Sequence, residues 1–174
     1  MQTHGDLRLL KVDLIAALAP DSPLAPHLPA PILTTAMLWL EAAAKTGAPA
    51  WESFDFRSLG EAAAYASVVR CHNDMIFTFV HAGWRLSALL GEEIVGRTVN
   101  SASSMIGEID WYRRCSPVVQ SAQVRIVSGR TNPPYTSGFD FVAADFPFMG
   151  KQDEVSHILG VTLPHLGVSL PSLN

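Results

Sequence analysis

Residues 74–99, DMIFTFVHAGWRLSALLGEEIVGRTV, carry the pattern that decides the fold. Residues 75–80 form a continuous apolar and β-branched run, which is typical of a strand covered on both faces. Gly83 follows as a position that tolerates a sharp reversal, and residues 84–90 have apolar side chains at helical spacing. Gly91 stands where a left-handed helix cap is expected. The stretch therefore predicts a strand, a turn and a short helix.

A second short segment that ends at a glycine follows that helix. Residues 92–95, EEIV, place two acids at the start of a segment that ends at Gly96, which predicts a second short helical turn. The run LLGEEIVGR over residues 89–97 resembles the start of a PAS domain, where a strand leads into several short helices. The pattern F-x-F-V-x-x-G over residues 77–83 resembles a divergent PAS-like family of alphaproteobacteria, formerly a domain of unknown function. The resemblance covers residues 31–164.

The order of predicted strands is similar to the PAS order. Residues 67–71 and 75–80 predict a hairpin, and three further strands are predicted at residues 121–128, 138–148 and 154–163. The resemblance implies an α+β fold built on a five-stranded antiparallel sheet in the spatial order 2-1-5-4-3. It also implies short helices on one face of the sheet and N-terminal helices on the other.

Length and composition predict one domain with extensions. A chain of 174 residues, 48% of them hydrophobic, is large enough for one substantial core and short for two. We assign residues 1–30 to an amphipathic helix over residues 6–18 and a proline-rich connector. Residues 31–164 form the PAS-like domain and residues 165–174 a C-terminal tail. The leucine stripe of the N-terminal helix either packs on the domain or pairs with its twin in a homodimer.

The charge balance limits the partners. Twelve Lys and Arg against 16 Asp and Glu give a net charge of −4, which argues against nucleic acid or an anionic membrane as main partner. Only 16% of residues are charged, so we expect part of the surface to be buried in a homodimer. No transmembrane span or signal peptide is predicted, and Cys71 and Cys115 lack the spacing of a redox pair. We expect a cytoplasmic protein.

Motifs that would bind a cofactor or a metal are missing from the sequence. Haem-binding PAS domains use a ligand on the helix before the third strand, and residues 106–119 contain no histidine. The Asn-Cys-Arg-Phe-Leu motif of flavin photosensors is also missing, so we expect no cofactor. The six histidines lack the spacing of metal ligands, and neither a phosphate-binding loop nor a nucleophile elbow is present. His81 and His157 lie on predicted strands and are placed to meet across the sheet.

The PAS resemblance implies a small cavity between the helices and the sheet. The candidate ligand-binding residues are Phe77, Phe79, Trp84, Ile94, Ile106, Trp111, Tyr112, Arg113, Val124, Ile126, Phe139 and Phe141. We expect the ring of Trp84 to be buried. Arg113 is the candidate to clamp a carboxylate or phosphate, because a guanidinium binds such groups with two hydrogen bonds. Arg114 and Arg125 face either the cavity or the solvent.

These patterns lead to two functional hypotheses and to a third reading, a purely structural interaction domain. The first is a stand-alone PAS-like sensory or regulatory module, not an enzyme, that binds a small, mostly apolar ligand or a partner protein. No kinase, cyclase or DNA-binding segment follows the domain, so we expect it to signal in trans. The alternative is a small cone-shaped α+β enzyme, an isomerase or hydrolase, that uses a buried carboxylate. Asp110 with Tyr112, or Asp140 and Asp145, would serve that role.

Overall fold

A computed structural model describes residues 8–10, 27–46, 49–131 and 138–165. A seven-stranded sheet dominates it, and a two-stranded ribbon stands apart. The strands are β1 Arg8–Leu10, β2 Ala66–His72, β3 Ile76–Ala82, β4 Thr98–Val99, β5 Met105–Ile106, β6 Ile109–Asp110, β7 Arg125–Thr131, β8 Phe139–Met149 and β9 Val155–Pro164. Strands β5 and β6 form the ribbon. The α-helices are α1 Ala30–Thr46, α2 Trp84–Leu90 and α3 Trp111–Ser121.

The strand order confirms the predicted fold. The sheet runs β1-β7-β8-β9-β2-β3-β4, and its named strands pair antiparallel. When the short edge strands β1 and β4 are set aside, the five long strands follow the order 2-1-5-4-3 when read from β3. Strand β8 lies in the middle, and residues 141–148 of it are all buried because both faces of the sheet are covered. The fold is therefore α+β and PAS-like.

The two faces of the sheet carry separate hydrophobic clusters. The inner cluster lies with α2 and α3 and includes Phe77, Phe79, Leu86, Trp111, Cys115 and Phe141. The outer cluster lies with α1 and the 3-10 segment Phe56–Tyr65 and includes Ile32, Leu59, Val68, Phe146 and Leu159. Short helices on one face and N-terminal helical segments on the other match the prediction. No helix among the described residues is both long and apolar enough to cross a bilayer.

The N-terminal helix prediction is wrong over residues 8–10. These residues form strand β1, in which Arg8 lies opposite Ser128 and Leu10 opposite Ile126. Strand β7 would otherwise be the edge of the sheet, with unpaired backbone groups that favour strand pairing over helix formation. The rest of the predicted helix and most of the proline-rich connector lie outside the described residues.

The second helical turn predicted after Gly91 is also wrong. Gly91 has φ 71° and ψ 13° and ends α2 as expected. Beyond it, the Glu93 carboxylate accepts hydrogen bonds from the backbone N–H groups of Ile94 and Val95, at 3.1 and 3.2 Å. Glu92 accepts from the Gly107 N–H at 3.1 Å. Because side chains satisfy these amides, residues 92–95 form a turn and not a helix.

The expectation that the Trp84 ring is buried is wrong. Its side chain is 70% exposed, whereas Leu86 and Leu90 of the same helix are buried. Residues 86 and 90 are four positions apart, so they lie on the same face of α2, and this face points inward. Trp84 is the first residue of the helix and lies on a different face. The apolar pattern predicted the helix correctly, but it did not predict correctly which face of the helix is buried.

We therefore expect Trp84→Ala to change the free energy of unfolding by no more than about 0.5 kcal/mol, the usual range for surface positions. The matched change Phe79→Ala removes a fully buried ring and should cost about 3–5 kcal/mol. Urea unfolding of both variants, followed by far-UV circular dichroism, gives the comparison. A cost for Trp84→Ala equal to that of Phe79→Ala would contradict the exposed position.

Candidate functional site

A buried ion pair lies between α3 and the inner face of the sheet. Arg114 is 2% exposed and Asp145, on β8, is 1% exposed. The Arg114 Nε donates to Asp145 Oδ2 at 2.7 Å and Nη2 donates to Oδ1 at 2.6 Å. The third nitrogen, Nη1, donates to Thr162 Oγ1 on β9 at 2.9 Å, and the guanidinium carbon lies 4.6 Å from the Trp111 ring centroid. The pair therefore joins one helix to two central strands.

The guanidinium fits because one position of the sheet beneath it has no side chain. A Cβ added to Gly160 would lie 2.8 Å from Asp145 Oδ1 and 3.0 Å from Arg114 Nη2. It would also lie 2.9 Å from the Ser67 Oγ, on the neighbouring strand β2. These three groups are buried, so they have little freedom to move aside. Glycine at position 160 therefore makes the space for the ion pair.

The phase of α3 decides which arginine points inward. Trp111, Arg114, Cys115 and Val118 are its buried residues, spaced as one helical face. Arg113 is exposed. The prediction that Arg113 contacts a ligand in the interior therefore selected the wrong one of these two neighbouring arginines. Helical spacing places Arg114 on the same face as the apolar Trp111, but the sequence alone does not show that this face is the buried one.

Other polar groups surround the ion pair. The Ser67 Oγ is buried and has no hydrogen-bond partner among the described residues. Burial raises the pKa of the Cys115 thiol well above its ordinary value, Asp145 raises it further, and Arg114 opposes the shift. Arg125 lies opposite Asp145 in the β7–β8 register. Burial lowers the pKa of Arg125, and the Asp145 charge opposes that change.

The structure brings most of the predicted ligand-binding residues together. Phe77, Phe79, Ile94, Ile106, Trp111 and Phe141 are buried in the inner cluster, and Tyr112 and Phe139 pack against it. The rings of Phe79 and Trp111 meet edge to face, with centroids 4.9 Å apart. Ligand contact by these residues stays a prediction.

Two predicted residues, one in β7 and one just before it, lie on the other side of the sheet. Ile126 belongs to the outer cluster and Val124 packs against that cluster. Val127 is the β7 residue that reaches the inner cluster. Because side chains alternate along a strand, an error of one position places a residue on the opposite face.

The two strand histidines do not meet as expected. The His81 ring packs edge to face against Phe56, with centroids 4.7 Å apart. His157 stacks on Trp51, with centroids 4.9 Å apart and an interplanar angle of 18°. Strand β2 lies between the strands that carry them, which keeps the imidazoles apart. Within the described residues, no cluster of three His, Cys, Asp or Glu side chains could hold a metal ion.

We expect Arg114→Met to lower the free energy of unfolding by about 3–5 kcal/mol, because it leaves the buried Asp145 carboxylate without its partner. The double variant Arg114→Met/Asp145→Leu should recover most of that loss, since a well-packed apolar pair can replace a buried ion pair. Urea unfolding measures both, with Arg113→Met as the exposed control. A double variant no more stable than Arg114→Met alone would contradict the unpaired-charge explanation.

The thiols give an independent test of the interior. Burial raises the pKa of Cys71 to about 12, so at pH 8 about one thiol in 10,000 is the reactive thiolate. We expect iodoacetamide to modify neither Cys71 nor Cys115 in the folded protein, and both in urea. Mass spectrometry of the timed reaction measures this. Cys71 is only partly buried, so its fast modification in the folded protein would contradict the raised pKa.

No protein-family model matches the sequence, and no curated protein matches it. Among solved structures, an RNA-binding light-oxygen-voltage receptor is similar over 94% of this chain, at 17% identity and a TM-score of 0.47. The chain spans 39% of that receptor's length. The PAS domain of an HTR-like protein from Haloarcula marismortui is similar over 59% of this chain and 87% of that domain, at 14% identity and a TM-score of 0.37.

These values are too low to carry an argument about function. The PAS-like fold of this chain therefore rests on the strand order of its sheet and on the helices that cover each face. Membership of the divergent alphaproteobacterial family stays a prediction.

Proposed function

We propose that this chain is a PAS-like sensory or regulatory module that acts by binding and not by catalysis. The ligand would be small and mostly apolar, and it would be received between α2, α3 and the inner face of the sheet. The buried pair of Arg114 and Asp145 is the observation that supports this proposal most. Small-molecule sites are generally apolar with a few convergent polar groups, and the inner cluster with its one ion pair has that composition.

The ion pair also supports a signalling role. Burying two charges costs free energy, and an apolar pair of similar size is often as stable, so stability alone does not account for it. Arg114 lies on α3 while Asp145 and Thr162 lie on the sheet. A ligand that competes for either charged group would change how α3 is held on the sheet. Helix α3 would then carry the signal to the surface.

The three carboxylates of the enzymatic alternative have structural contacts instead. Asp110 caps α3 by accepting from the Arg113 N–H at 2.9 Å. Asp140 is exposed and lies 3.6 Å from Arg130. Both oxygens of Asp145 accept hydrogen bonds from Arg114. A general base needs an oxygen that can reach the substrate proton, so these contacts favour binding over catalysis.

A surface at the start of α2 is a suitable place for a protein partner. Arg85 donates to the Tyr65 hydroxyl, and its guanidinium carbon lies 5.2 Å from the Tyr65 ring centroid and 5.0 Å from that of Trp84. Trp, Tyr and Arg are the residues most enriched at the energetic centres of protein interfaces. We propose that signalling in trans, or pairing with a second copy of the chain, uses this surface.

Native mass spectrometry of protein purified from its own host tests the ligand proposal. We expect a retained small molecule, present in Arg113→Met and lost in Arg114→Met/Asp145→Leu. The reason is that the double variant keeps the apolar interior and loses the ion pair of Arg114 and Asp145. Addition of medium-chain fatty acids should also raise the Tm of the wild type more than that of the double variant. Bare polypeptide mass together with an unchanged Tm would contradict the ligand proposal.

A further inference from the structure

A row of polar and basic side chains crosses the outer face of the sheet. In the strand register His157 of β9 lies opposite Arg70 of β2, and Arg70 lies opposite Thr78 of β3. Thr78 in turn lies opposite Thr98 of β4. Residues opposite one another on neighbouring strands share a face of the sheet. His72 is two positions beyond Arg70 on the same strand, so it shares that face.

The groups of this row are held by one another. The His72 Nε2 lies 3.0 Å from the Thr78 Oγ1, which lies 3.1 Å from the Thr98 Oγ1. Ser156 Oγ lies 3.1 Å from the His157 Nδ1. The stacked ring of Trp51 borders the row at the His157 end. Hydrogen bonds therefore hold His72 at one end of the row and His157 at the other, and an aromatic ring borders His157.

Arg70 gives this row a permanent positive charge that pairs with no described carboxylate. Arg70 and His72 are exposed. Burial lowers the pKa of His157, and the Arg70 and His72 charges lower it further. Two acidic side chains on the bordering segments have other contacts. Glu52 lies 3.9 Å from Lys151, and the Glu154 carboxylate accepts from the Gln152 N–H at 2.8 Å.

We propose that Arg70, His72 and His157 form a binding site for a phosphate group, with the Thr78 and Thr98 hydroxyls as further donors. A phosphate monoester carries close to two negative charges and three acceptor oxygens. It therefore suits one guanidinium together with imidazole and hydroxyl donors on neighbouring strands better than a carboxylate does. The site lies on the outer face, opposite the proposed interior ligand, and does not depend on it.

Titration with inorganic phosphate, phosphoserine and acetate at constant ionic strength and pH 7 tests this site. Imidazole Hε1–Cε1 correlations report each histidine separately. We expect saturable shifts of His72 and His157 with both phosphates and unchanged His81 signals. Binding in Arg70→Gln should weaken about tenfold or more, because a charge-assisted hydrogen bond is lost. His72→Gln provides a second variant from the same strand.

Arg113→Gln is the matched control, since it removes an exposed arginine from α3 on the other side of the sheet. It should bind phosphate as the wild type does. Shifts that grow linearly without saturating, or that are equal in Arg70→Gln and the wild type, would overturn the site. Acetate that binds as tightly as phosphate would overturn the assignment to phosphate. Binding of phosphoserine but not inorganic phosphate would overturn the claim that the phosphate group itself is recognised.

Discussion

The hydrogen-bonded pair of Arg114 and Asp145 is the constraint on which the interior depends. Two charges buried at 2% and 1% exposure must satisfy each other, because no solvent reaches them. This requirement accounts for several neighbours. Thr162 accepts from the guanidinium, Trp111 lies against it, and Gly160 leaves the space for it. The helix and the central strands therefore cannot be repacked independently.

The sheet divides the molecule into two environments. Its inner face holds an apolar cluster with one ion pair, and its outer face is apolar under α1 and polar toward β3 and β4. The proposed ligand site and the proposed phosphate site lie on opposite faces. Both are anchored on β2 and β9, through Ser67 and Gly160 on one face and Arg70 and His157 on the other. The two proposed sites therefore share the same pair of strands.

Local patterns predicted the elements better than the sites. The apolar run at residues 75–80 and the glycine at position 91 gave a strand and a helix end that the structure contains. The acidic pair at residues 92–93 led to the wrong prediction of a second helical turn. Carboxylates can bind free backbone amides in a turn as well as at the start of a helix. Val124 and Ile126 were assigned to the wrong face because adjacent apolar residues of β7 leave its alternation ambiguous.

By itself the sequence determined the number of long strands and their order along the chain, because these follow from hydrophobic runs and turn residues. The α+β class and the spatial arrangement of the five strands came from the resemblance to PAS domains. Only the tertiary structure decided that Arg114 and not Arg113 points inward, that Asp145 is its partner, and that Trp84 is exposed. The first two outcomes depend on a contact between residues 31 positions apart in the chain. The spacing of apolar residues shows which side chains share a face of a helix or strand, but packing against the rest of the fold decides which face is buried.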